Sequence, residues 1–162
     1  MKHWTRIALI GGFLLATGFL KAADWPFQQH KSFWYTDLDK AHQVALKQNK
    51  PLLLLFTSKN CLFCRKLEAE TLASPTIQKR IREQFVPVLL DLEKNARAAR
   101  ILKIQGVPTT IIITPQADLI GRIEGFVEPK TFETQLAKAQ SVHAQLTRIR
   151  QTAMQNGQTK KQ

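Results

Sequence analysis

The residues of this chain best suited to chemistry are Cys61 and Cys64, its only two cysteines, separated by Leu62 and Phe63. Two thiols at this spacing can close into a disulfide and reopen, passing two electrons to or from another disulfide by exchange. The same spacing serves metal sites and fixed crosslinks. A structural zinc site wants four ligands, commonly a second cysteine pair or closely spaced histidines. His3, His30, His42 and His143 are scattered and share no such spacing. A fixed disulfide across so short a loop would remove little chain entropy. Redox exchange is what the surroundings favour, with an apolar strand before the pair and a helical stretch after it.

The strand is Pro51-Leu52-Leu53-Leu54-Leu55-Phe56, a run with no polar face. It suits a central strand covered by helices on both sides. Thr57-Ser58-Lys59-Asn60 breaks the run and can cap the next element. Beyond it Leu62, Leu67 and Leu72 no longer fit a strand, and the intervening Arg, Lys, Glu and Ala residues are good helix formers. Cys61 then sits where unpaired backbone N–H groups and the positive end of the helix dipole favour thiolate over thiol. Lys59, Arg65 and Lys66 add positive charge, so Cys61 is expected to have a lowered pKa. Each unit of lowering is about 1.4 kcal/mol of preference for the thiolate. Cys61 is the expected attacking sulfur. Cys64, one turn further in, is the expected resolving one.

A second stretch, Gly106-Val107-Pro108-Thr109-Thr110-Ile111-Ile112-Ile113, is a turn leading into another apolar strand. With the dithiol before it, this order resembles the thioredoxin superfamily, which pairs an N-terminal C-x-x-C with a later Val/Ile-Pro-Thr. The resemblance implies an α/β thioredoxin fold: a central mixed β-sheet flanked by helices, here with an N-terminal extension. It further implies that Pro108 is cis beside the dithiol and that Val107 offers backbone groups to a peptide. Val107, Pro108, Thr109, Leu62 and Phe63 are thus the expected substrate-facing residues.

The run 37–70 is similar to exported thioredoxin-like proteins, in particular the C-terminal thioredoxin-like domain of the transmembrane disulfide reductase DsbD. Shared features are a Lys-Pro-Leu-Leu-Leu strand and a C-x-x-C followed by Arg/Lys-x-Leu-Glu. Glu68 falls at that family's position for an acid near the dithiol. Four residues after Cys64, it can share a helix face with it and take the resolving thiol's proton. The alternative for Glu68 is an ordinary surface carboxylate paired with Arg65. Three departures stand out: Leu55 replaces a buried acid, Asn60 replaces the usual tryptophan, and the dipeptide is Leu62-Phe63. Together they imply an intermediate potential. The expected activity is exported thiol–disulfide exchange, reducing rather than oxidising. No cofactor is expected beyond the redox-active Cys61–Cys64 pair, and no metal. Two other classes stay open: copper delivery, for which only His143 is a downstream histidine, and a binding module in which the thiols are incidental.

Length and composition set the frame. The 162 residues suffice for one domain with a sizeable core. Lys2, His3 and Arg6 precede an apolar run over 7–20 that ends in Lys21-Ala22-Ala23, the layout of a secretory signal over 1–23 or of an uncleaved anchor. Export to the periplasm would place the dithiol where another protein must set its redox state. The net charge is +12, and the 1–23 segment, with three bases and no acid, leaves +9 on the rest. These charges are spread along the chain, and export argues against nucleic acid, so a solvated basic surface is expected. The expected partners are protein thiols and disulfides and a membrane-bound or exported redox protein, with the chain itself a monomer. The domain is expected over 37–146. An aromatic extension over 24–36 precedes it, with 33–35 a short edge strand, and a basic polar tail over 147–162 succeeds it, into which the last helix is expected to continue towards Met154, with 155–162 disordered.

Overall fold

The computed structural model describes residues 32–159. The signal segment over 1–23, Trp25 and Phe27 of the aromatic extension, and residues 160–162 lie outside the described residues. Helix α1 (Leu38–Gln48) leads into β1 (Leu52–Thr57), then α2 (Leu62–Lys66), which continues as a π-helical turn over Leu67–Leu72. Next come α3 (Pro75–Gln84), β2 (Val86–Asp91), α4 (Ala96–Ile101), β3 (Thr109–Ile113), β4 (Leu119–Glu124) and α5 (Pro129–Thr159). The sheet order is β2-β1-β3-β4. β1 runs parallel to β2 and antiparallel to β3, and β3 pairs antiparallel with β4.

The leucine run is buried because both of its faces are covered. Leu53 and Leu55 point into one core with Leu67, Leu72, Ile77, Ile81, Phe132 and Leu136. Leu52, Leu54 and Phe56 point into the other, beneath Ala41, Ala45 and Ala99. The side-chain period of two in a strand divides one apolar run between two layers. Helix starts obey local chemistry. The Asp37 side chain accepts from the Lys40 N–H at 3.1 Å, and Pro75 opens α3 just after Ser74.

Pro87 is compatible with a paired strand because of where its nitrogen points. Val86 N–H bonds inward to Pro51 O, while Pro87 O and Leu89 N–H bond outward to Tyr35 at 2.9 and 2.8 Å. The missing N–H of Pro87 therefore falls on the outer side of β2, where no ladder needs it. The expected edge strand at 33–35 is reduced to one bridge, Tyr35 with Val88. Phe33 and Trp34 instead pack against the core, with the Arg82 guanidinium 4.7 Å from the Phe33 ring centre.

The last helix, expected to continue towards Met154 before a disordered end, runs unbroken to Thr159. Good helix formers such as Gln, Arg, Ala and Met fill this stretch. Arg150 also anchors it, bonding Gln116 Oε1 at 2.9 Å and the Asp118 carboxylate in the β3–β4 loop. Among the described residues no helix is long and apolar enough to cross a membrane.

Candidate active site

The polar turn after β1 delivers Cys61 to the mouth of α2, where Cys61 rather than the preceding turn is the cap. Its backbone is extended and its sulfur accepts the Cys64 N–H at 3.0 Å. A donor aimed at this sulfur stabilises negative charge on it, adding to the unpaired amides of the helix start. Cys64 is buried, 3% exposed, and the two sulfurs form a disulfide with Cα atoms 5.2 Å apart. Leu62 and Phe63 stand out from the surface at 69% and 59% exposure.

The ladder between β1 and β3 sets Phe56 opposite Thr109, which brings the turn before β3 against the dithiol. The Val107–Pro108 peptide bond is cis. Cys61 Sγ lies 3.5 Å from the Val107 carbonyl oxygen. In the disulfide this sulfur has no proton, so the contact becomes a hydrogen bond only when a thiol is present to donate. Val107 is half-buried and Pro108 buried. Thr109 does not face outward. Its side chain is buried, and its hydroxyl donates to Gly106 O at 2.7 Å, which closes the turn.

The surrounding charges are arranged differently from the simple sum of Lys59, Arg65 and Lys66. Lys66 Nζ sits 4.2 Å from the Phe126 ring centre and 3.9 Å from Glu70, so its charge is partly committed elsewhere. Glu68 is half-buried and lies just inside the π-helical turn that begins at Leu67. Leu55 packs with Leu67, Leu72, Ile112 and Ile123, and among the described residues no Asp or Glu is fully buried.

One part of the site carried no signal in the sequence beyond a turn glycine. Gly125, with φ of 74°, donates its N–H to Pro108 O at 2.8 Å. Two residues on, Val127 O accepts the hydroxyl of Thr71 at 2.6 Å. The loop after β4 thus touches both the proline turn and the dithiol helix.

The copper reading loses its histidine. His143 Nε2–H donates to Asn49 O at 2.9 Å, and Asn49 precedes β1 whereas Cys61 comes after it. A six-residue strand separates them, roughly 20 Å at the usual rise. Among the described residues no three His, Cys, Asp or Glu side chains cluster as metal ligands.

The thioredoxin-like domain family matches residues 38–140, a span from α1 well into α5 that includes the dithiol and the proline turn. The chain belongs to the thioredoxin-like domain family. In sequence this thioredoxin-like protein is 26% identical over 152 residues to the thiol:disulfide interchange protein DsbD of Salmonella typhimurium, covering 83% of this chain. It spans only 26% of that relative's length. Its fold is similar to a thioredoxin from Thermus thermophilus, with a TM-score of 0.61 at 20% identity, over 66% of this chain and 86% of that one. It is also similar to the C-terminal domain of Neisseria meningitidis DsbD in its reduced form. There the TM-score is 0.55 at 22% identity, over 65% of this chain and 98% of that one. The DsbH oxidoreductase matches with a TM-score of 0.58 at 18% identity, over 67% and 83%.

Proposed function

We propose that this protein is an exported thiol–disulfide oxidoreductase that reduces disulfides in other proteins. The observation that carries the reading is the Cys61 sulfur capping its own helix, bonded by the Cys64 N–H and set beside the Val107 carbonyl. In the reduced protein the Cys61 thiolate attacks one sulfur of a substrate disulfide. A mixed disulfide forms and one substrate thiolate leaves. Cys64, deprotonated with Glu68 as the acceptor, then attacks Cys61 Sγ. The second substrate thiolate departs and the Cys61–Cys64 disulfide closes, so two electrons have moved from dithiol to substrate. Val107 and Pro108 supply the surface against which the peptide backbone lies, and Leu62 and Phe63 supply apolar contact.

The dithiol is the whole redox equipment in this reading. It is recharged by an exported or membrane-bound dithiol protein, and the chain acts as a monomer without nucleic acid. The relationship to DsbD supports the reducing direction. The absence of a histidine between the cysteines supports it too, because a strongly stabilised thiolate makes an oxidant. The reduction potential is the test. It should fall between the values near −270 mV for thioredoxin and −180 mV for protein disulfide isomerase. A potential near DsbA's value of about −120 mV would reverse the assignment to that of an oxidant.

A further inference from the structure

The β1–β3 ladder ends at Phe56 opposite Thr109. The dithiol and the Val107–Pro108 turn both lie beyond that last rung, so sheet hydrogen bonds do not fix the gap between them. Yet the two faces of that gap are where a substrate strand has to fit. A loop at 125–127 spans them from behind. On one side the Gly125 N–H holds Pro108 O at 2.8 Å. On the other, the hydroxyl of Thr71 donates to Val127 O at 2.6 Å, while Phe126 lies under the Lys66 ammonium. Thr71 is fully buried and sits inside the π-helical turn that continues the dithiol helix. A threonine within a helix commonly turns its hydroxyl back onto its own preceding turn; this one reaches across to another element.

We infer that Thr71 is a positioning residue: its hydroxyl, through loop 125–127, sets the spacing between Cys61 and the Val107–Pro108 surface. The role rests on the disulfide exchange proposed above. Thr71 touches neither sulfur, so its loss alters how a peptide fits and leaves the thiol's own reactivity intact.

Thr71→Val removes the hydroxyl at nearly constant shape. Two reactions of the reduced protein separate the possibilities: exchange with a peptide disulfide, and alkylation of Cys61 by iodoacetamide, which needs no groove. Peptide exchange should slow roughly tenfold, as a modest misplacement of reacting groups does, with alkylation unchanged and Thr71→Ser restoring the rate. Equal peptide rates in Thr71→Val and wild type overturn the inference. So does a parallel fall in both reactions, which would mark general loosening. Hydrogen exchange at the Gly125 amide gives a readout independent of turnover: it should quicken in Thr71→Val while the Leu54 amide in β1 holds. Unchanged Gly125 exchange also overturns the inference. Thr71→Ala serves the same comparison if the valine variant fails to fold. A wild-type protein that reduces no disulfide sinks the proposed activity instead, and the Gly125 amide still decides whether the tie exists.

Discussion

The two ends of the sheet are finished in opposite ways. At the end away from the dithiol, long side chains bond to the loops. His143 donates to Asn49 O, His42 Nε2–H donates to Pro115 O at 2.7 Å, and Arg150 bonds Gln116 and Asp118. At the dithiol end Leu62 and Phe63 face outward, and the Val107 carbonyl is aimed at a sulfur instead of at a side-chain donor. One end has used its polar side chains to stabilise itself. The other ties its turns through the buried Thr71 and Thr109 hydroxyls, yet turns apolar side chains and a reactive sulfur towards a second molecule. Substitutions at the two ends should therefore separate activity from stability.

The largest effect belongs to the sulfurs. Cys61→Ala should abolish disulfide reduction, and Cys64→Ala should accumulate mixed disulfides with exported proteins, because the resolving thiol is gone. Equal trapping by both variants would contradict an ordered exchange. Next comes Glu68→Gln. If this carboxylate takes the proton from Cys64, resolution of the mixed disulfide should slow by about 10²–10⁴, the usual worth of acid–base help. Leu55→Asp in that background should restore part of the rate. Stopped-flow resolution kinetics identical to wild type would assign the proton to water.

Phe63→Ser should raise KM for a peptide disulfide by roughly tenfold, since a contact of about 1.5 kcal/mol is lost from an aromatic face that the peptide would cover. Thermal stability should not move, as this ring is mostly exposed in the free protein. A change in Tm without a change in KM would invert the comparison between the two ends. His143→Ala should show the opposite profile. Removing a bond from a buried side chain should cost about 1–3 kcal/mol in denaturant unfolding and leave turnover at 25 °C as in wild type.

The smallest effect is acid release of the α5 anchor. The Thr114 hydroxyl first, and Arg150 second, hold the Asp118 carboxyl below the usual carboxylate range. A carboxylate lowered on folding contributes stability above its unfolded value of about 3.9, and that contribution fades as pH falls through the lower folded value. Helical chemical shifts around Arg150 should therefore weaken only below about pH 4, while those of α1 persist. Shifts that fade already near neutral pH would assign the anchoring to other contacts.

The features legible in the sequence were those that a residue's type dictates locally. An unbroken apolar run forces double coverage. A cysteine after a polar turn falls at a helix start, whereas the cis form of Pro108 was legible only through the resemblance to the thioredoxin superfamily. Contacts made across the chain were illegible. Thr71 and Val127 lie 56 residues apart, and nothing in either type announces the pairing. The same holds for the anchoring of α5 by Arg150 to Gln116 and Asp118 in the β3–β4 loop. The π-helical turn was hidden for a different reason. Leu67 to Leu72 is ordinary helix composition, and the extra residue per turn is imposed by packing, with Leu67 and Leu72 both in the core.

Pro87 has a consequence for how this molecule meets its neighbours. An exposed sheet rim is a template onto which another chain can stack, the first step towards fibres and tangled oligomers. The outer rim of β2 presents a ring nitrogen with no hydrogen where a newcomer needs a donor, and Tyr35 already occupies the next two outward groups, Pro87 O and the Leu89 N–H. The opposite rim, β4, carries Arg122 and Glu124 joined at 3.3 Å, charges that a stacking strand would have to strip of water. With both flanks resistant to strand addition, extended chains are steered away from the sides of the sheet and towards its sulfur-bearing end.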